Sequence, residues 1–263
     1  MARIIAVVNQ KGGVGKTTTS VNLCASLAAA RRRVLLVDLD PQGNATMGSG
    51  VDKHALEISS YDVLMGEAGA ARALTLSPAG GFQLIGANAD LTGAEVGLLE
   101  EIGRELRLKK ALEPLASAYD YVLVDCPPSL NILTVNALVA AHSVLIPMQC
   151  EYYALEGLAA LMKTMDKIRT LLNPGLHIEG LLRTMYDPRN NLSTDVSAQL
   201  ARHFGDKLFN TVVPRNVRLA EAPSRGLPVL QYDKDSRGAL AYLALAGEIF
   251  RREQAHTAPA GLN

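Results

Sequence analysis

Short apolar runs alternate along this chain with longer stretches whose apolar residues recur every three or four positions. The runs at 4–8, 34–37, 119–125, 143–148, 178–182 and 208–213 are rich in β-branched residues and too short for helices, so buried strands are expected there, with another at 82–86. Between them the spacing predicts helices over 19–30, 95–115, 130–140, 155–172, 193–204 and 236–254. The helix at 155–172 is stopped by Asn173-Pro174-Gly175. Residues 45–81 carry a weaker pattern, with a short helix at 61–65 and a turn at 77–81. Strand and helix alternate without a linker rich in Pro, Gly or Ser and without an internal repeat. The expected fold is therefore α/β: a single doubly wound, mostly parallel sheet with helices on both faces, spanning 1–254, with 255–263 as a short disordered tail.

Composition narrows the class. Of 263 residues 48% are apolar and 20% charged, and the net charge is zero, so no global basic field marks a nucleic-acid binder. The cysteines, Cys24, Cys126 and Cys150, are odd in number, form no Cys-x-x-Cys and sit in apolar surroundings, which predicts reduced core thiols of a cytosolic protein. No secretory signal is present, and no apolar stretch approaches the roughly 20 residues that span a bilayer. A soluble, cytoplasmic protein is expected.

The candidate chemistry lies where the first strand ends. Asn9-Gln-Lys-Gly-Gly-Val-Gly-Lys-Thr-Thr18 stands between that strand and the first helix, the setting in which backbone N–H groups and a helix N-terminus hold phosphate. Gly15-Lys16-Thr17 supplies a point charge and a hydroxyl able to ligate Mg²⁺. The usual opening glycine is replaced by Gln10, and Lys11 adds a second lysine. Three acids follow apolar runs, Asp38 with Asp40 after one and Asp125 after another, at the carboxyl ends of strands where such sheets bind ligands. A dinucleotide-binding loop would need a third glycine where Thr18 stands, although Asp38 lies at a suitable distance; the phosphate-loop NTPase fits better.

These residues carry a resemblance. Lys11-Gly-Gly-Val-Gly-Lys16-Thr-Thr resembles the deviant Walker A motif of the ParA/MinD family of ATPases, Val37-Asp-Leu-Asp40-Pro-Gln-Gly-Asn44 its second motif, and Val124-Asp125-Cys-Pro-Pro128 its Walker B. The segments 151–157, 184–189 and 214–223 resemble the chromosomal ParA (Soj) branch, and the likeness runs from residue 3 to about 252. The resemblance implies ATP and Mg²⁺ as cofactors. Gly12, Gly13, Val14 and Gly15 would wrap the phosphates, Lys16 would hold the β- and γ-phosphates, and Thr18 would lie near the α-phosphate. Thr17 and Asp125 would hold Mg²⁺, with Asp38 in support. Asp40 would position the attacking water, and Lys11 would reach the partner's phosphates across a homodimer. Glu151 would contact the partner's nucleotide, and Pro214 and Asn216 would flank adenine.

The implied function is a slow, partner-stimulated ATPase. Its ATP-bound dimer holds double-stranded DNA without sequence preference, and a ParB-like centromere-binding protein triggers release; this would make it nucleoid-associated. Arg189 and Arg218 match DNA-binding positions, with Arg215, Arg225, Lys234 and Arg237 as further candidates. Between 202 and 237 seven basic residues face four acids. The alternative is a MinD-like membrane-cycling ATPase, but 236–254 is followed by proline and small residues, so no membrane partner is expected. A cluster-carrying electron carrier would need Cys126 and Cys150 in other motifs, and a metabolic kinase would need a lid and no Lys11. The first strand begins at Arg3, so the helix-turn-helix extension of plasmid relatives, and operator-specific repression, are not expected.

Overall fold

The computed structural model describes residues 2–152 and 154–257. β1 (Arg3–Val7) runs into the glycine loop and α1 (Lys16–Ala29), and β2 (Val34–Asp38) into a second polar loop and the short α2 (Asn44–Gly48). α3 (Ser60–Met65) precedes an antiparallel pair, β3 (Leu74–Leu76) and β4 (Gln83–Ile85). α4 (Leu91–Gly97) and α5 (Arg107–Leu112) lead to β5 (Tyr121–Asp125), α6 (Ile132–Ala140) and β6 (Ser143–Gln149). Then come α7 (Ala154–Leu171), β7 (His177–Tyr186), α8 (Asn191–Phe204), β8 (Leu208–Pro214), α9 (Val217–Glu221), α10 (Val229–Tyr232) and α11 (Arg237–Thr257).

Among the described residues eight strands form one sheet, ordered β3-β4-β2-β5-β1-β6-β7-β8, parallel throughout except for β3 against β4. Helices cover both faces. On one, Leu23 and Leu27 of α1 and Tyr242, Leu245 and Ile249 of α11 pack over Ile5, Leu36 and Leu123. On the other, Leu133 and Leu138 of α6 and Leu161 and Met165 of α7 pack over Ala6, Val37, Val124 and Ile146. Strands buried on both sides must be apolar at nearly every position, which is why β1, β2, β5 and β6 read as unbroken runs. From β1 the chain winds outward first toward β2 and β4 and then toward β6, β7 and β8. The crevice at the carboxyl end of β1 is therefore the switch point of a doubly wound sheet.

Glu248 of α11 closes edge strand β8. Its carboxylate accepts the N–H groups of Asn210 and Thr211, each at 2.9 Å, and the Thr211 hydroxyl at 2.7 Å. It also pairs with Arg252 at 2.9 Å. Edge N–H groups that would otherwise recruit another strand are thus occupied.

Several elements differ from expectation. The single helix expected over 95–115 is broken: α4 ends at Gly97, 3₁₀ turns cover Leu98–Glu100 and Arg104–Leu106, and α5 starts at Arg107. Gly103 has φ 70°, a left-handed conformation that interrupts an α-helix, and Pro114 stands in a closing 3₁₀ turn. Of the apolar positions read as one stripe, Leu98 and Leu108 are buried while Leu99 and Ile102 face solvent. β7 is longer than expected because its end takes in Tyr186, read as loop. β3 carries no apolar pattern that would mark it. The last helix runs three residues past 254, to Thr257, and the remainder of the expected tail, 258–263, lies outside the described residues.

Candidate active site

The loop after β1 is braced from two sides. Asn9 donates its amide NH₂ to the Pro147 carbonyl at 2.8 Å and accepts the Lys11 N–H at 3.0 Å. Buried Thr184, near the end of β7, donates to the Val14 carbonyl at 2.7 Å. Gly13 and Gly15 have φ of 73° and 88°, which side chains resist, and such turns aim successive N–H groups into one hollow. The amides of residues 12 to 18 donate to no acceptor among the described residues. They surround the positive end of α1, so the hollow fits a chain of phosphates.

The two lysines of the loop diverge. Lys16 is buried and donates to the Lys11 carbonyl at 3.2 Å. Burial lowers its pKa, against the opposing pull of Asp125. Lys11 is half-exposed, does not line the cleft and is ion-paired with Glu151.

Behind Lys16 lie two acids. β2 and β5 are in register at Asp38 and Asp125, which sets two fully buried carboxyls side by side. Burial raises both pKa values, and the charge of Asp38 raises Asp125 further. Asp125 accepts the hydroxyls of Thr17 and Ser20, both at 2.8 Å. Asp38 accepts the Asp40 N–H at 3.1 Å and the Thr46 N–H and hydroxyl at 2.9 and 2.7 Å. It therefore fixes the loop that carries Asp40 to the rim. The oxygen-only donors of Thr17 and Asp125, with buried negative charge beside them, fit a hard divalent cation.

A cleft of about 910 Å³ is lined by Gly12, Gly13, Gly15, Lys16, Thr17, Thr18, Asp40, Pro214 and Asn216. Of the other expected residues, Val14 is buried beneath the loop, Asp125 lies behind Thr17, and Lys11 and Glu151 stand outside as an exposed pair. The far wall adds Met185, Val213, Leu219, Ala220 and Tyr242, an apolar surface suited to a flat base. Asn216 caps α9 by accepting the Leu219 N–H at 3.3 Å, and its NH₂ has no hydrogen-bond partner among the described residues. Met185 has φ 48°, a strained setting for a side chain at a pocket wall.

Arg189 and Arg218 are not at the cleft. Arg189 grips Asp187 through two nitrogens at 2.9 and 2.8 Å and holds that carboxyl at about 2. Arg218 pairs with Glu221 at 2.8 Å and Asp233 at 3.2 Å, beside a groove that also includes Lys234. Arg215, another DNA candidate, lines the cleft.

A family described as AAA domain matches residues 2–178. The chain is 51% identical over 260 residues to the chromosome partitioning protein ParA of Caulobacter vibrioides, covering 98% of this chain and 97% of that one. It is 53% identical over 249 residues to the sporulation initiation inhibitor protein Soj of Bacillus subtilis, covering 95% and 98%. Among solved structures it is similar to the cobyrinic acid a,c-diamide synthase of Mycobacterium smegmatis with bound ATP analog and magnesium. That likeness has a TM-score of 0.85 and 40% identity, over 97% of both chains.

Proposed function

We propose that this chain, which belongs to the ParA/MinD family of P-loop ATPases and to its chromosomal ParA (Soj) branch, is a DNA-partitioning ATPase. ATP and Mg²⁺ are its cofactors, as for the neighbour solved with an ATP analog and magnesium. The amides of residues 12–18 and the Lys16 ammonium bind the phosphate chain, and Thr18 lies toward the α-phosphate. The wall of Met185, Pro214 and Tyr242, with the NH₂ of Asn216, takes the base. Thr17 and Asp125 would hold Mg²⁺, which when bound would neutralise phosphate charge. Asp40, held at the rim by Asp38, aligns water for attack.

The observation that carries the dimeric reading is the divergence of the two lysines. Lys16 serves its own cleft, while Lys11 is presented outward beside Glu151. A lysine from outside the loop stabilises charge spreading over a transferred phosphoryl group, as an arginine finger does. Lys11 therefore exchanges Glu151 for the phosphates of a second copy, and Glu151 meets the partner's nucleotide. Arg189 and Arg218 exchange their carboxylates for DNA phosphates. Ion pairs this exposed contribute little, so the exchange costs little, and DNA retention is sequence-independent and strongly salt-dependent. A ParB-like centromere-binding protein stimulates slow hydrolysis and so releases the nucleoid-associated dimer.

Two other readings fare worse. A membrane-cycling protein would present a basic, apolar helix, but the apolar face of α11 (Ala239, Tyr242, Leu245, Ala246 and Ile249) is buried in the core. No helix among the described residues is long and apolar enough to cross a membrane. An amide-forming synthase drawing ammonia from glutamine would need a reactive thiol. Cys24, Cys126 and Cys150 are all buried, which raises their thiol pKa values.

The test is paired pelleting of the ATP-bound protein with plasmid DNA and with anionic liposomes over a salt series. Salt-sensitive retention on DNA that requires ATP supports partitioning. Retention on liposomes alone would overturn it.

A further inference from the structure

Asp40 stands at the rim of the cleft on the short loop 39–43 between β2 and α2. The sheet reaches only as far as Leu39, whose N–H donates to the Asp125 carbonyl at 2.9 Å. Beyond it the turn is closed locally. The Asp40 carboxylate accepts the Gln42 N–H at 3.0 Å, and the Asp40 carbonyl accepts the Gly43 N–H at 2.8 Å. These bonds shape the turn without fixing where it sits.

Its place is set from behind, through Asp38. One oxygen of that buried carboxylate, Oδ1, accepts the Asp40 N–H. The other, Oδ2, accepts both donors of Thr46, the N–H at 2.9 Å and the hydroxyl at 2.7 Å. Two donors on Oδ2 hold the plane of the carboxylate and so aim Oδ1 at the Asp40 N–H.

Thr46 is fully buried and is itself anchored. Its hydroxyl oxygen accepts the N–H of Ala87, just past β4, at 2.9 Å. A hydroxyl has one hydrogen, so with Ala87 donating, that hydrogen is committed to Asp38. Ala87 also meets the loop at a second point. Gly43 has φ 61°, and a Cβ there would lie 2.6 Å from the Ala87 carbonyl oxygen, so only glycine lets the loop pass this close.

We infer that Thr46 is a positioning residue for hydrolysis: it anchors Asp38 to the end of β4 and thereby sets Asp40 at the rim. The inference rests on the reading in which Asp40 aligns water, and names what holds Asp40 there. Thr46 does not line the cleft, and among the described residues it makes no hydrogen bond to the loop 9–18. Its hydroxyl therefore bears on the chemical step and not on nucleotide binding. A reacting group misplaced by about 1 Å can cost about a hundredfold in rate. Thr46→Val removes the hydroxyl but keeps the Thr46 N–H on Asp38, so a smaller loss of about tenfold is expected.

The experiment measures phosphate release by the full chain with ATP and Mg²⁺ over a range of ATP that separates kcat from KM. Thr46→Val should lower kcat about tenfold, with KM and the ATP-dependent dimer within about twofold of wild type. Thr46→Ser, which keeps the hydroxyl, should restore kcat. Because Thr46 acts through Asp40, adding Thr46→Val to Asp40→Ala should lower turnover in long incubations no further than Asp40→Ala alone. Thr46→Ala is the second variant where valine prevents folding, with the same split of kcat from KM. Wild-type kcat in Thr46→Val or Thr46→Ala overturns the inference. So does a rise in KM with kcat unchanged, or a kcat that serine fails to restore. Wild-type turnover in Asp40→Ala refutes the reading of Asp40 itself, and the inference with it.

Discussion

Replacing Asp125 by Asn should stabilise the metal-free protein while abolishing its turnover. Asp125 is buried beside Asp38, and burial first, then the charge of Asp38, raises its pKa from 3.8 to about 7. Between those values the native chain keeps a proton that the unfolded chain has released. Stability therefore falls as pH rises through this window and reaches its floor above it. One pKa unit is about 1.4 kcal/mol, so complete ionisation costs on the order of 4 kcal/mol before water and relaxation reduce it. Asn keeps the shape, and its partners are the hydroxyls of Thr17 and Ser20, which can turn from donor to acceptor, so no hydrogen bond is orphaned. Lys16 loses a counter-charge, which subtracts from the gain. The net expectation at pH 8 is about 1–3 kcal/mol, or a melting point higher by roughly 2–6 °C for a chain of this size.

Circular-dichroism melts in EDTA from pH 4 to pH 8 measure this directly. The gap between variant and wild type should be small at pH 4, widen to about pH 7 and then stay constant. With Mg²⁺ and ATP the order should reverse, since only the wild type gains from the bound metal. An Asn variant less stable than wild type at pH 8 without metal would show that hydrogen bonds hold the ionised carboxylate comfortably, and the reasoning would be wrong.

Lys11→Ala should bind ATP in its own cleft but lose the ATP-dependent dimer, read by light scattering alongside a fluorescent-nucleotide titration. Asp40→Ala should keep ATP binding and the dimer while turnover falls at least about a hundredfold, checked by phosphate release; ordinary turnover would remove Asp40 from the mechanism. Arg218→Glu should abolish ATP-dependent DNA pelleting with dimerisation intact, and unchanged pelleting would move the DNA surface elsewhere. Glu248→Ala strips the acceptor from the Asn210 and Thr211 N–H groups and should cost about 2–4 kcal/mol in urea unfolding, with Glu248→Gln costing less.

The buried centre of the sheet was legible because strands covered on both faces leave unbroken apolar runs. The phosphate loop was legible for a related reason: consecutive amides can converge only where glycines take up left-handed turns, so Gly13 and Gly15 stand at fixed places before Lys16. The far wall of the cleft was not legible. Tyr242 backs that wall from within the core, its buried hydroxyl bonded to Thr19 at 3.1 Å, yet along the chain it is one more apolar position of α11. The break between α4 and α5 was hidden because the apolar residues Leu98, Leu99, Ile102 and Leu106 continue at near-helical spacing, while α4 ends at Gly97 and a 3₁₀ turn and the left-handed Gly103 follow, leaving Leu98 buried and Leu99 and Ile102 exposed. The ion pairs of Arg218 were hidden in part because Asp233 reaches it from beyond α10, a contact made by the fold alone.

The second lysine, the oddity of the loop, has a physical reading in what holds it. Two ammonium groups in one hollow would compete for the same phosphates and repel each other. The loop separates them by burying Lys16 against the Lys11 carbonyl and sending the Lys11 side chain out to Glu151. The Lys11–Glu151 pair is about half exposed, so it lies in the weak range of surface ion pairs, about 0–1 kcal/mol. A contact that weak orients Lys11 without trapping it. Once a second subunit covers the cleft, water is excluded and a lysine–phosphate contact strengthens as the local dielectric falls. On the proposed reading, leaving Glu151 would then be favourable only where a triphosphate lies opposite, so that association would be conditional on ATP and hydrolysis would undo it.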